Sequence, residues 1–254
     1  MCAQLLSQPE FDAFQRDGYI IVRQLFDREE MAYLRRVAKS DENLQAKAWN
    51  LTDSTGSSAK ITLWNKATND VYGLIARSPR LVDRMEQLLG GTIYHYHSKM
   101  TMKQPNSPGA WEWHQDYGYW YQNGFLFPHM ASCFIAVDKN TVENGCLEVL
   151  KGSNHMGRID HGRYGDQVCA DPERITAAER VCERVACVLD PGDAIFFHSN
   201  TLHGSGQNRS QDPRWSLICC YTLASNLPYK EKNLSCEPIE RVSDDALRHM
   251  AARP

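Results

Sequence analysis

No stretch of this chain approaches the roughly 18 uncharged apolar residues that cross a bilayer as a helix, so no membrane span is expected. The N-terminus, MCAQLLSQPEFDAF, lacks the basic start and apolar run of a secretory signal. Those two absences make a cytoplasmic location the expectation. Charge of one sign is also missing: 28 Lys and Arg stand against 31 Asp and Glu, a formal net charge of -3. Nucleic-acid binding usually leaves a strongly basic footprint. The expected partner is therefore a small molecule, with no nucleic acid and no membrane. No C-x-x-C occurs among the nine cysteines, their number is odd and their spacing irregular. Several sit in apolar runs such as SLICCY, and they read as reduced, buried small hydrophobes. A zinc site built from them does not fit the usual ligand spacing. Internal repeats and low-complexity segments are absent too.

What is present fits one domain over residues 1–254, with 42% apolar and 23% charged residues. The part from about 1 to 91 reads as mainly helical, with one strand at YIIV after a helix ending at Gly18. FDREEMAYLRRVAKS places acids first and bases last, as a helix dipole favours. NLTDSTGSSAK reads as a polar loop. SPRLVDRMEQLLGG reads as a helix with Ser78 as N-cap, Pro79 in the first turn and glycine at the end. From about 92 to 225, short runs of strand character follow one another: TIYHYHSKMTMK, MASCFIAVD, CLEVL, RVACVLD, AIFFHS and RWSLICCYTLA. A mainly β fold with flanking helices follows, a sandwich or barrel. GRIDHGRYGDQVCADPERITAAERVCE has little strand character. It reads as an insertion with a helix near Pro172 to Arg184, and residues 157–171 are placed to cover a site. The tail, 226–254, reads as surface helix and loop.

WEWHQDYGYW carries the chemistry. His114 and Asp116 are two apart, so on a strand they share a face. An imidazole and a carboxylate on one face can take adjacent positions on a metal. A third ligand must come from elsewhere, and PGDAIFFHSNTLHGSGQNRS offers His203 or His198. Two histidines and one carboxylate leave open positions, the facial set associated with non-haem iron(II) oxygenases. Arg214 heads the apolar strand RWSLICCY. A buried arginine needs a counter-ion: the distal carboxylate of 2-oxoglutarate, held fork to fork, or Asp190, Asp193 or Asp212. Ser205 could add a hydroxyl bond. Trp111, Trp113, Tyr117, Tyr119, Trp120 and Tyr121 crowd the motif, as substrate-facing rings able to hold an amine by cation–π contact or as packing.

HQD, NGCLEVLKGSNH, PGDAIFFH and HGSGQNRS with its downstream arginine, after the opening FQRDGYIIVRQLFDREEM, resemble the phytanoyl-CoA dioxygenase family from about Phe11 to Tyr221. The resemblance implies a double-stranded β-helix, the jelly-roll or cupin-like core. It implies Fe(II) held by His114, Asp116 and His203, with 2-oxoglutarate and O₂ as co-substrates. It places 2-oxoglutarate on Arg214 and Ser205, with Lys103 of KQP close by. The implied activity is hydroxylation with release of succinate and CO₂. The substrate is expected to be a small polar metabolite contacted by Trp111, Trp120, Tyr119 and Phe197. The alternatives are an acyl-CoA thioester, for which no clear basic patch stands out, a catalytically silent member, or a metal isomerase that does not use 2-oxoglutarate. Asn144, Gly145, Gly152 and Ser153 read as structural, with Asn144 and Gly145 turning a hairpin, and His155 as structural or a substrate contact.

Overall fold

The structure is a computed structural model describing residues 5–230 and 236–252. Cys2 and the stretch 231–235 of the tail lie outside the described residues. Helix α1 (Gln8–Asp17) starts where the Glu10 carboxylate accepts the Ser7 amide at 2.7 Å, and ends on Gly18 at φ 82°. Strand β1 (Tyr19–Val22) follows. Helix α2 (Arg28–Ser40) is capped by Asp27, whose carboxylate accepts from the Glu29 and Glu30 amides, and α3 (Glu42–Ala46) continues from it. The polar stretch read as a loop instead forms a hairpin, β2 (Trp49–Thr52) and β3 (Ser58–Trp64). Its Ser, Thr and Gly residues occupy the turn and the exposed positions, while Ala59 and Ile61 face inward. Helices α4 (Val71–Ala76) and α5 (Pro79–Leu89) come next, α5 closed by Gly90 at φ 77°. Ser78 stands at its N-cap position, but its hydroxyl makes no capping bond.

The second part supplies β4 (Ile93–Lys103), β5 (Trp111–His114), α6 (Asp116–Trp120), β6 (Met130–Ala136) and β7 (Leu147–Leu150). The supposed strandless insertion contains the hairpin β8 (His161–Tyr164) and β9 (Gln167–Ala170), then α7 (Pro172–Ala178), shorter than expected. Strands β10 (Arg184–Cys187), β11 (Ala194–His198), β12 (His203–Ser205), β13 (Arg214–Leu223) and β14 (Glu237–Pro238) and helix α8 (Ala246–Ala251) complete the order. The tail is not wholly superficial: Leu247 of α8 enters the core.

The fold is mainly β with flanking helices. One antiparallel sheet runs β1-β11-β6-β13-β4-β3-β2, with β14 added beside β4; a second runs β10-β7-β12-β5. Alternation along the large sheet splits its side chains between two cores. Cys133, Ile135, Phe196 and Leu217 pack with Phe14, Leu34, Leu81 and Met85 of the helices. Phe134, Ile195, Phe197 and Ile218 point the other way, toward Leu147 and Val149 of the small sheet. The cavity opens between the two sheets. Asn144 and Gly145 do not make a hairpin, because β6 and β7 belong to different sheets. They turn the chain from one sheet to the other, with Gly145 at φ 70° against the Gly206 carbonyl. Among the described residues no helix is long and apolar enough to cross a membrane.

Candidate metal centre and its cavity

Strand β5 ends at His114, and Asp116 opens α6, so the two do not share one strand as the spacing suggested. Gln115 between them is extended, at φ -103° and ψ 133°, which keeps the alternation and returns Asp116 to the side of His114. Strand β12 places His203 directly opposite His114 in the antiparallel register. The Asp116 Oδ1 atom lies 4.0 Å from the Nε2 atoms of both histidines. Ligand atoms from all three residues fall within 4.8 Å of one another. First-row metal bonds of roughly 2.0–2.2 Å place adjacent donors about 3 Å apart, so an ion would draw these atoms together by about 1 Å or more.

The donors are set for a cation. His114 Nδ1 donates to the Glu112 carbonyl at 2.7 Å and His203 Nδ1 to the Thr201 carbonyl at 2.9 Å. A carbonyl can only accept, so each Nδ1 keeps the proton and each Nε2 keeps its lone pair for a metal. Burial pushes both imidazoles down from their usual range, which favours the neutral, ligating form. Burial would raise the Asp116 carboxyl. Lys99, His203, His114 and the Ser132 hydroxyl outweigh it and hold the group below the usual carboxylate range. Tyr119 donates to Asp116 Oδ1 at 2.9 Å and Ser132 to Oδ2 at 2.7 Å. The chemistry of this donor set fits a first-row metal ion. His198 is not part of it: its Nδ1 accepts from the Asn200 amide at 3.1 Å. Gln115 faces away, its amide bonded to the carbonyls of Gly157 and Asn200.

A cavity of about 280 Å³ adjoins the two histidines. Arg214 lies in its wall, 1% exposed. Asp190 stands 3.3 Å from Lys139 and Asp193 2.6 Å from Arg23, and among the described residues no carboxylate lies within 4.0 Å of the Arg214 guanidinium. Its hydrogen bonds are to Ser205 Oγ at 3.2 Å and Ser216 Oγ at 3.4 Å, and its Nε has no partner. Burial lowers its pKa to about 10. An enclosed cation in that condition is a socket for an anion. Ser205 Oγ also accepts from Lys103 Nζ at 2.9 Å. A hydroxyl that accepts twice still has its own proton to donate into the cavity.

Other residues fall differently from expectation. Lys103 does not line the cavity; its ammonium bonds the Ser205 hydroxyl and the carbonyls of Ser205 and Gly206. Burial and the neighbouring Arg214 push its pKa well below the usual value. Trp111 and Tyr119 line the cavity. Trp120 and Phe197 do not: Trp120 packs edge-on against Tyr96 and His97, and Phe197 packs behind the His203 ring at 4.7 Å. Trp113 sits under the Arg184 guanidinium, and His155 is exposed beside the Arg16 carbonyl, 3.2 Å away. The β8–β9 hairpin is already folded against the site. Its Gln167 and Val168 line the cavity, and His161 accepts the Gln115 amide at 3.0 Å. Sequence reasoning missed His97, Lys99 and Thr101 of β4, which share a face with Lys103 and line the cavity. Alternation counted back from Lys103 points to all three.

The model of the family described as phytanoyl-CoA dioxygenase (PhyH) matches residues 14–216. The L-proline trans-4-hydroxylase of Streptomyces griseoviridis is 34% identical over 176 residues, 63% of this chain. That match spans 66% of the relative's length, just under two thirds. The ectoine dioxygenase of Halomonas elongata is 27% identical over 264 residues, covering 94% of this chain and 79% of its own. Among solved structures, EctD from S. alaskensis with bound Fe superposes with a TM-score of 0.76 at 24% identity, over 94% of this chain and 88% of that one. The chain therefore belongs to the phytanoyl-CoA dioxygenase family of iron- and 2-oxoglutarate-dependent oxygenases.

Proposed function

We propose that this chain is a single catalytic unit on a double-stranded β-helix that hydroxylates a C–H bond of a small polar metabolite, using Fe(II), 2-oxoglutarate and O₂. The observation that carries the reading is a buried guanidinium, without a carboxylate partner among the described residues, in the same cavity as a convergent His/Asp/His set. When bound, the iron and the keto acid activate O₂, with one oxygen atom leaving in succinate alongside CO₂ and the other entering the substrate.

The chain's own residues bind and orient. His114, Asp116 and His203 would hold the ion, and a set of two histidines and one carboxylate would leave room on it for the co-substrates. Arg214 grips the distal carboxylate of 2-oxoglutarate through two N–H groups, and the Ser205 hydroxyl donates a further bond. Lys103 positions Ser205 from behind. Tyr119 and Ser132 hold the Asp116 carboxylate in orientation. Trp111, Phe134 and Ile218 keep bulk water from the reacting centre. About 280 Å³ must accommodate both co-substrate and substrate, which favours a metabolite over the enclosed part of a long acyl chain. The names of two relatives, a proline hydroxylase and an ectoine dioxygenase, support a compound of that size.

The test is succinate formation from 2-oxoglutarate by full-length, Fe(II)-loaded protein, with Arg214→Ala as control. Succinate is expected from the parent protein, stimulated by a compound in a panel of amino acids, amines, betaines and phosphonates, and lost in the variant. A metal-loaded parent that forms no succinate contradicts the proposal and leaves the silent-member or isomerase reading.

A further inference from the structure

Strand β4 carries a second cation into the cavity, one that neither the metal nor 2-oxoglutarate requires. Lys99 shares a face with His97, Thr101 and Lys103, and its side chain lines the cavity. Lys103 stands opposite Arg214 in the β4–β13 register, whereas Lys99 stands opposite Ile218. Four residue steps separate the two rungs by roughly 13 Å along the strand. A five-carbon diacid gripped at Arg214 would lie toward the Lys103 rung and would leave the Lys99 rung free for another group.

The Lys99 ammonium has no hydrogen-bond partner within 3.5 Å among the described residues. Its nearest anion is Asp116 Oδ1 at 3.6 Å, an oxygen that already accepts from Tyr119 and faces the ion site. His97, two residues along and also in the cavity wall, is buried with an unpartnered Nε2. Formal charges point the same way. A divalent ion, one aspartate, a doubly charged co-substrate and Arg214 cancel, and the imidazoles are neutral. Lys103 is turned away onto backbone carbonyls. Lys99 is left as one positive charge inside the cavity, beside the apolar walls of Trp49, Leu51, Ile61 and Phe134, while Asp166, a carboxylate of the lining, is exposed to screening solvent. A low-dielectric wall makes such a charge a strong attractor for a single anionic group.

We propose that Lys99, flanked by His97, forms a substrate subsite for one carboxylate, so that the compound hydroxylated is a small carboxylic acid whose hydrocarbon body lies against Trp49, Leu51 and Ile61. The inference rests on the oxygenase reading above. It specifies a monoanion: a carboxylate answers one lysine, whereas a phosphonate dianion overcompensates it. Lys99 binds the substrate directly and leaves 2-oxoglutarate to Arg214.

The experiment is anaerobic calorimetry on full-length protein loaded with Fe(II) and 2-oxoglutarate. The probes are cyclopentanecarboxylate, cyclohexanecarboxylate and N-acetyl-L-proline, each a monoanion, with the corresponding carboxamides as neutral controls and cyclopentylphosphonate as the control that reaches a dianion. At least one acid is expected to bind, at least about 10-fold more tightly than the amides or the phosphonate. Lys99→Met is expected to weaken that acid roughly 10- to 150-fold, the loss of one charge-assisted hydrogen bond, with 2-oxoglutarate affinity unchanged. Lys99→Arg keeps the charge and is expected to stay within a few fold of the parent. The proposal is overturned if no acid binds, if an amide or the phosphonate binds as well, or if Lys99→Met weakens 2-oxoglutarate as much as the acid. Failure of Fe(II) and 2-oxoglutarate themselves to bind, measured first in the same cell, overturns the oxygenase reading and this subsite with it.

Discussion

Replacing Arg214 by methionine separates what this cation costs the fold from what it does for the ligand. Burial lowers the pKa of the guanidinium from 12.5 to about 10. At 1.36 kcal/mol per unit, the charged form is held at a cost of about 3 kcal/mol. The sign follows from the direction. For a base whose folded pKa is depressed, the penalty is in force at every pH below the folded value, so it is fully present at neutrality. Methionine removes the charge and keeps much of the aliphatic stem, which gives back about 1–2 kcal/mol in lost packing over Phe134. The metal-free variant is expected to be more stable than the parent by about 1–2 kcal/mol, a rise of roughly 3–6 °C in Tm for a chain of this size. Binding moves the opposite way. Removing one partner of a buried, hydrogen-bonded charge pair costs about 3–5 kcal/mol, so the affinity of the Fe(II)-loaded protein for 2-oxoglutarate is expected to fall more than about 100-fold. Differential scanning calorimetry of the metal-free forms and anaerobic titration of the loaded forms measure the two effects. A variant that melts below the parent and binds 2-oxoglutarate unchanged refutes the reasoning, because Arg214 would then be a structural cation.

Tyr119→Phe removes the hydroxyl that orients Asp116 while leaving the ring in place. Anaerobic metal titration is expected to show Fe(II) affinity about 10- to 100-fold lower with little change in Tm. His95 is 1% exposed, and burial lowers its pKa to about 4. Its neutral form is the native one, so stability is expected to fall as pH drops from about 6.5 to 4, by about 3 kcal/mol from this group alone. Urea titrations between pH 7.5 and pH 4.5 read that slope, and a flat profile contradicts the burial of His95. Gly145→Ala places a Cβ 2.3 Å from the Gly206 carbonyl at a backbone φ of 70°. A loss of about 2 kcal/mol or more in urea unfolding is expected, with a raised KM for 2-oxoglutarate because Gly206 follows Ser205.

The convergence of His114, Asp116 and His203 beside a buried Arg214 was legible because their chemistry is unusual for buried chain: an H-x-D pair, a distant histidine and an arginine heading an apolar strand each demand a partner. What linked them was the order of motifs along the chain, since spacing alone left His203 and His198 equal. The choice became physical only in the register, where β12 sets His203 opposite His114 while His198 ends β11 bonded to its own loop. Trp120 was misplaced because nearness to the motif in sequence says nothing of direction on a segment that is helical. On α6, Tyr119 lies three residues from Asp116 and shares its face, whereas Trp120 is turned by a further 100° into the core. Phe197 sits on the expected face of β11 but one layer too deep, behind an imidazole. The β2–β3 and β8–β9 hairpins were hidden by their turn-forming residues. Their stability comes from pairing with β4 and packing beside β5, contacts that no local pattern announces. Lys99 was overlooked for a plainer reason: a lysine within an apolar strand has no motif, and the alternation that gives its direction from Lys103 becomes informative only once the cavity shows what that face meets.

The most direct measurement is the crystal structure of the protein grown anaerobically with Fe(II) and 2-oxoglutarate. One ion is expected within roughly 2.0–2.2 Å of His114 Nε2, His203 Nε2 and an Asp116 oxygen, with the distal carboxylate of 2-oxoglutarate on Arg214 and Ser205. An ion held elsewhere, or a keto acid bound away from Arg214, contradicts the account.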